Sequence, residues 1–232
     1  MELDIQYIFR FTDGRTVHLP IHLDAISLAP ITAPGCDAPD WARLDFHRCT
    51  NCPLHNSDHT HCPLACALVS TVSLLGDVLS YDQVEAEVIT PERRVLRTTS
   101  AQNGISAMMG LVIATSGCPH MAFFKPMARF HLPFASEEET MYRAASMYLL
   151  GQYFRHQQGQ PAELGFDGLI QLYRNVEIVN RAMADRLRAA AREDGTVNGL
   201  VLLDIYAKTL PVAVEETLHE LRPLYNAYLS QQ

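Results

Sequence analysis

Four cysteines lie within eighteen residues of this 232-residue chain, at spacings typical of a metal site. Two residues separate Cys49 from Cys52, and three residues separate Cys62 from Cys66. Two short cysteine pairs joined by a loop allow four thiolates to converge on one ion, and structural zinc sites are built in this way. Prolines follow Cys52 and Cys62 directly and stiffen the backbone there. The spacing therefore predicts a zinc site formed by these four cysteines.

Cys118 is an alternative fourth ligand. Proline follows a cysteine three times in the chain, after Cys52, Cys62 and Cys118, and the Cys-Pro step also occurs at iron–sulfur ligands. Cys66 falls four residues into an apolar stretch of helix length, where it can serve for packing alone. Cys118 instead lies in the constrained loop Ser-Gly-Cys-Pro-His. An iron–sulfur cluster with a redox or sensor role is thus the alternative to zinc, and spacing leaves both questions open.

A thiol-dependent enzyme is the third interpretation. Cys118 could act as a nucleophile, with His131 as its base and Glu139 orienting that base. The same segment also fits a buried connector whose methionines and phenylalanines pack the core. The chain has no P-loop, no dinucleotide-binding glycine motif and no serine-hydrolase motif. Whether the protein is an enzyme therefore stays open. Cys36 is interpreted as a lone thiol.

Composition narrows the class of protein. The chain is 48% hydrophobic and 19% charged, as expected of a globular protein with a substantial core. Its net charge of −8 disfavours nucleic-acid binding, which depends on an excess of Lys and Arg. We expect a cytoplasmic protein with no membrane contact, because neither a leader nor a long uninterrupted apolar run is seen. The expected partner is another protein or a second copy of the chain.

The amino-terminal segment predicts a β-hairpin. Apolar residues alternate with polar ones on both sides of the sequence Asp-Gly-Arg, which contains Gly14. A loop with Gly14 in the left-handed conformation pairs Phe9 with Val17 and Tyr7 with Leu19, so apolar residues face each other. A second strand pair is predicted over residues 84–88 and 93–99. The proline-rich residues 25–45 between the hairpin and the cysteines predict a wrapping loop.

Helical periodicity dominates the rest of the chain. Gly117 is expected to adopt the left-handed conformation after one helix, and Ser136 with Glu139 forms a capping box that starts another. Pro211 is expected to separate the last two helices. The predicted helices cover residues 64–79, 102–115, a segment from 136 onward, 166–192, 197–209 and 212–228.

The longest predicted helix carries two sets of polar residues. Asn180 falls on its apolar stripe, where a buried amide must be paired, and a structural hydrogen-bond hub is preferred over the lining of a polar cavity. Four arginines, interspersed with acidic residues, are interpreted as a solvated charged face. They are Arg181, Arg186, Arg188 and Arg192.

Together these patterns predict an α+β protein, with a small antiparallel sheet packed on a mainly α-helical second half. Residues 1–100 would hold the sheet and the metal loop (45–66), residues 101–232 the helices, and the two would form one compact unit. The blocks CTNCPL, HCPLA, TSGCP and PMARFHLPFAS, with the DGR hairpin and the MYLLGQYF helix, resemble an uncharacterised bacterial family of similar length. The resemblance covers most of the chain and implies no activity, cofactor or partner.

Overall fold

A computed structural model describes residues 2–31 and 38–230 and confirms the predicted α+β class. Its four strands form one antiparallel sheet in the order β2-β1-β3-β4. The strands are β1 (Glu2–Phe11), β2 (Thr16–Asp24), β3 (Gln83–Ile89) and β4 (Arg94–Ser100). The two central strands are distant in sequence, so the sheet brings the hairpin beside the strand pair that follows the cysteines.

The hairpin has the predicted register. Tyr7 pairs with Leu19 and Phe9 with Val17, and Gly14 has a φ of +89°. Glycine adopts this left-handed conformation without the steric penalty that a β-carbon brings. Side chains alternate along a strand, so this register places all four paired residues on the buried face.

Most of the helix predictions are confirmed. The described helices are α1 (Pro63–Leu75), α2 (Ala101–Thr115), α3 (Lys125–Arg129), α4 (Glu137–Gln157), α5 (Asp167–Ala190), α6 (Gly195–Glu220) and α7 (Asn226–Leu229). The capping box forms as predicted, because the Ser136 hydroxyl accepts from the Glu139 amide and the Glu139 carboxylate accepts from the Ser136 amide. Gly117 follows α2 with a φ of +84°.

The predicted break at Pro211 is wrong, because α6 continues through this residue as one helix. A proline inside a helix removes one hydrogen bond and crowds the carbonyl four residues earlier, at Ala207. The packing around the proline favours continuation, since Ala207, Leu210 and Val214 are all buried. Tertiary contacts therefore outweigh the local cost.

Close helix packing places the second half of the chain on the sheet. A β-carbon on Gly104 of α2 would lie 2.7 Å from a ring carbon of Phe9 in β1, and one on Gly199 of α6 would lie 2.9 Å from Ile105. These two glycines allow α2 to approach the sheet and α6 to approach α2. One hydrophobic cluster accordingly includes residues from Leu3 to Val214.

Among the described helices, α6 is long and apolar enough by length and composition to cross a membrane. Core helices of soluble proteins pass the same test, so this property alone says little about a bilayer. Several of its side chains, Leu200, Leu210 and Val214 among them, are buried in the protein core.

Candidate metal centre

The structure brings Cys118 together with three cysteines of the cysteine loop. Burial is the largest cause of the raised pKa values of Cys49 and Cys118, and neighbouring thiols add to it: Cys62, Cys52 and Cys118 act on Cys49, and Cys62 and Cys52 act on Cys118. Electrostatic effects of this kind require short separations. We call Cys49, Cys52, Cys62 and Cys118 the cysteine cluster. Cys66 lies one turn into α1, where its amide donates to the Cys62 carbonyl at 2.9 Å.

Burial is the main influence on these thiols. It raises the pKa of Cys49 to about 12 and that of Cys118 to about 11. Both thiols are therefore neutral near pH 7 unless a cation compensates for their charge. Backbone hydrogen bonding from His120 and Met121 lowers the pKa of Cys118, and the Met121 amide donates to the Cys118 carbonyl at 3.0 Å. A lowered pKa favours the thiolate, which is the form that binds metal.

The four thiols of the cysteine cluster differ in exposure and are not arranged as a metal site. As they stand, no three His, Cys, Asp or Glu side chains in residues 2–31 and 38–230 are arranged to hold a metal ion. Cys62 and Cys118 are buried, whereas Cys49 and Cys52 are half-buried. Binding an ion would require the thiols to turn toward a common point. Cys36 lies outside the described residues.

A short antiparallel contact positions Cys62 at the start of α1. The Cys62 amide donates to the Ala42 carbonyl at 2.8 Å, and the Leu44 amide donates to the Thr60 carbonyl at 2.9 Å. Pro63 then begins α1, where its missing N–H costs no helical hydrogen bond. The wrapping loop therefore supports the cysteine cluster from one side.

Arg186 of α5 supports the same wrapping loop from the helical half. Its guanidinium donates to the carbonyl of Trp41 at 2.7 Å, and to those of Arg43 and Leu44 at 2.7 and 3.1 Å. The residue is 1% exposed, and its charge lowers the pKa of Cys49. A cation that is always ionised thus lies buried beside the cysteine cluster.

The prediction of a solvated face was therefore wrong for Arg186. Arg188 does lie on such a face, with its side chain 58% exposed. Arg186 comes three residues after the buried Met183 and next to the buried Leu187, so it continues the apolar stripe. This place on the apolar stripe was the sequence feature that could have indicated the burial of Arg186. Its burial is possible because three backbone carbonyls from the wrapping loop accept its hydrogen bonds.

The loop that carries Cys118 is tied to the loop between Cys49 and Cys52. His120 Nε2 lies 2.8 Å from the carbonyl oxygen of Asn51. Asn51 in turn donates from Nδ2 to the carbonyl of Asn175 in α5 at 3.3 Å. Gly117 lies against the start of α1, where an added β-carbon would be 3.8 Å from that of Pro63. These contacts hold the two cysteine-bearing segments together.

Of the three catalytic candidates, His131 and Glu139 line one cavity, whereas Cys118 does not line it. His131 Nε2 lies 2.5 Å from the Tyr7 hydroxyl, and burial, assisted by Arg143, lowers the pKa of His131 to about 3. Glu139 is exposed and engaged in the capping box. A neutral imidazole paired with a tyrosine and a buried neutral thiol at Cys118 do not form an activated nucleophile as they stand.

A cavity of about 520 Å³ opens among the helices. His131, Glu139 and Asn180 line it, together with Arg143 of α4. Asn180 is 3% exposed, and its Nδ2 has no hydrogen-bond partner among the described residues. The hub interpretation of Asn180 is therefore wrong, and the amide lines a cavity instead. Nothing in the sequence distinguishes Arg143, because a lone arginine on a helix is typical of a surface residue.

Comparison with known proteins adds a family but no activity. No curated protein and no solved structure matches the chain. A family model described as a domain of unknown function matches residues 5–226, which is nearly the whole chain. The suspected membership of an uncharacterised family is thereby confirmed. The chain belongs to the family of the domain of unknown function DUF6901.

Proposed function

We propose that Cys49, Cys52, Cys62 and Cys118 bind one metal ion, with zinc as the expected occupant. The observation that supports this most is the position of the Cys118 loop, which comes from the other half of the chain and lies against both cysteine pairs through His120 with Asn51 and Gly117 with Pro63. Four sulfur ligands are a common donor set for a closed structural zinc site. The role of the ion would be to fasten the cysteine loop to the helices.

Charge around the cysteine cluster supports an anionic centre. Zn²⁺ with four thiolates carries a net negative charge, and burying a net charge is costly unless it is compensated. Arg186 places a buried positive charge beside Cys49, and among the described residues it makes no ion pair with a carboxylate. Backbone hydrogen bonding from His120 and Met121 also favours the thiolate of Cys118.

The loop around the cysteines would gain most from such an ion. Between Ala42 and Pro63 the described chain has no helix or strand, so few backbone hydrogen bonds order it. Structural zinc contributes about 10–16 kcal/mol of apparent binding free energy in small zinc-binding peptides. A fraction of that amount would offset the conformational entropy lost when this loop becomes ordered.

Elemental analysis of purified full-length protein tests the proposal. Wild type should carry one equivalent of zinc, Cys118→Ser should lose it, and Cys66→Ser should retain it. A Cys49→Ser, Cys52→Ser double variant should be metal-free. Retention of zinc in Cys118→Ser with loss in Cys66→Ser would move the fourth ligand to Cys66. Unchanged metal content in the double variant would overturn the proposal.

The two alternatives give different results. An iron–sulfur cluster would make protein purified without oxygen brown, with iron and acid-labile sulfide in place of zinc. An enzyme that depends on Cys118 would show faster alkylation of this thiol than of an unperturbed cysteine at neutral pH. Slow alkylation of Cys118 in metal-free protein would count against that enzyme.

A further inference from the structure

The cavity among the helices has the size and lining of a small-molecule site. Its volume of about 520 Å³ falls within the roughly 300–1,000 Å³ typical of ligand pockets. Its walls are mainly apolar and come from the five helices α2 to α6, from the segments between α2 and α3 and between α3 and α4, and from Arg97 of β4. Side chains of Leu111, Met121, Phe124, Val176 and Leu203 contribute to them. The cavity is separate from the metal proposal, since none of the four cysteines lines it.

Arg143 provides a cation at this apolar cavity. One of its amino groups donates to the carbonyls of Met127 and Phe130, each at 2.9 Å. Burial lowers its pKa, and no carboxylate lies within ion-pair distance among the described residues. Glu139 is the acidic group that acts on Arg143, but its Oε2 accepts from the Ser136 amide and the residue is exposed. The guanidinium therefore lacks a direct counter-ion.

Neutral hydrogen-bonding groups surround this cation. The charge of Arg143 lowers the pKa of both Tyr173 and His131, which places all three side chains in one region of the cavity. Burial raises the pKa of Tyr173, so its hydroxyl stays protonated and can donate. His131 is kept neutral by burial. None of these groups supplies the negative charge that Arg143 lacks.

Asn180 is the second observation that points to a ligand. It lies seven residues after Tyr173 in α5, on the same helix face, and lines the cavity. Its buried Nδ2 has no partner among the described residues. A buried donor without a partner is costly, so an oxygen of a bound molecule would stabilise it.

We propose that this cavity binds a monocarboxylate with an apolar body, whose carboxylate pairs with Arg143 and whose hydrocarbon portion lies against the apolar walls. One half-buried cation matches one negative charge. A phosphate dianion would need further cationic groups, and Arg97, the other arginine of the lining, is exposed to solvent. The hydroxyl of Tyr173 and the amide of Asn180 would donate to the ligand's oxygens.

Calorimetric titration of the full-length, metal-replete protein tests this proposal. Octanoate and decanoate serve as ligands, and octanamide and decanamide as neutral counterparts of the same length. The carboxylates should bind saturably and at least about tenfold more tightly than the amides, because a hydrogen bond to a charged group is worth more than one to a neutral group. No saturable binding of either carboxylate would overturn the proposal.

Two variants distinguish the contribution of the Arg143 charge to ligand binding from that of the cavity volume. Arg143→Gln should weaken carboxylate binding by about tenfold or more and change amide binding by less than about threefold. Gly110→Leu should abolish binding of both, because Gly110 lines the cavity and an added β-carbon there meets only Leu203, at 3.7 Å. Replacing glycine inside α2 also raises helix propensity, so this variant is expected to fold. Unchanged binding in Gly110→Leu, or equal losses for acid and amide in Arg143→Gln, would contradict the proposal.

Discussion

His120 Nε2 lies 2.8 Å from the carbonyl oxygen of Asn51, so the residue two positions after Cys118 holds the loop between Cys49 and Cys52. A carbonyl oxygen only accepts, so Nε2 must carry the proton in this bond. Such a bond fixes the relative position of the two segments that supply the cysteine cluster.

His120→Ala should therefore weaken the proposed metal site without removing a ligand. We expect about a tenfold loss of zinc affinity, which is the lower end of the effect of removing groups that orient metal ligands. Competition against a chromogenic chelator measures this change. His120→Gln keeps an N–H donor and is the matched control, with an affinity closer to wild type. Equal zinc affinity in His120→Ala and wild type would show that the two loops are held by other contacts.

Arg186 should stabilise the folded protein, in addition to placing a positive charge beside the cysteine cluster. Arg186→Met removes the donor of three backbone carbonyls in the wrapping loop, which would stay buried without these partners. We expect a loss of about 3 kcal/mol or more in the free energy of unfolding, measured in urea. Arg188→Met is the control, because Arg188 is mostly exposed and should change stability by about 0.5 kcal/mol or less. A loss no larger than the control's would mean that water replaces the guanidinium.

Local patterns predicted the elements that depend on a few neighbouring residues. The hairpin register follows from apolar alternation around Gly14, and the start of α4 follows from the capping box of Ser136 and Glu139. In both cases the partners lie within a few residues of each other or across one turn. Both elements can therefore be predicted from a short window of sequence.

The features that the sequence did not predict depend on distant partners. Arg186 is buried because carbonyls more than one hundred positions away accept its hydrogen bonds, and helical spacing could not identify them. The choice between Cys66 and Cys118 stayed open for the same reason. Only the folded chain brings the loop after α2 against the start of α1, through Gly117 and Pro63.

His131 should make stability fall as the solution becomes acidic. Its pKa is about 3 in the folded protein, below the usual value near 6.5 in an unfolded chain. Between these two values the unfolded chain binds the proton and the folded protein does not. The contribution of His131 to the free energy of unfolding is therefore fully present above about pH 6.5. It is lost as the pH falls toward 3, at no more than about 1.4 kcal/mol per pH unit.

The variant His131→Gln removes this proton-binding site, so its unfolding free energy should fall less between about pH 6 and pH 4 than that of wild type. Urea unfolding at a series of pH values measures the slope. His18→Gln is the control for the substitution itself, since His18 is exposed on the other face of the hairpin. Identical slopes in wild type and His131→Gln would mean that His131 takes up a proton in the folded protein.

Pro211 should lower the free energy of unfolding, although α6 continues through it. An alanine at this position would supply an N–H for the carbonyl of the buried Ala207 and would relieve the crowding caused by the proline ring. We expect Pro211→Ala to raise the free energy of unfolding by about 1–3 kcal/mol, measured as a shift of the urea midpoint. Pro223→Ala is the matched control, because Pro223 lies in the first turn of the short 3₁₀ helix Arg222–Tyr225, where no N–H is needed. A lower stability in Pro211→Ala would instead show that the packing of Leu210 and Val214 depends on a bend at the proline.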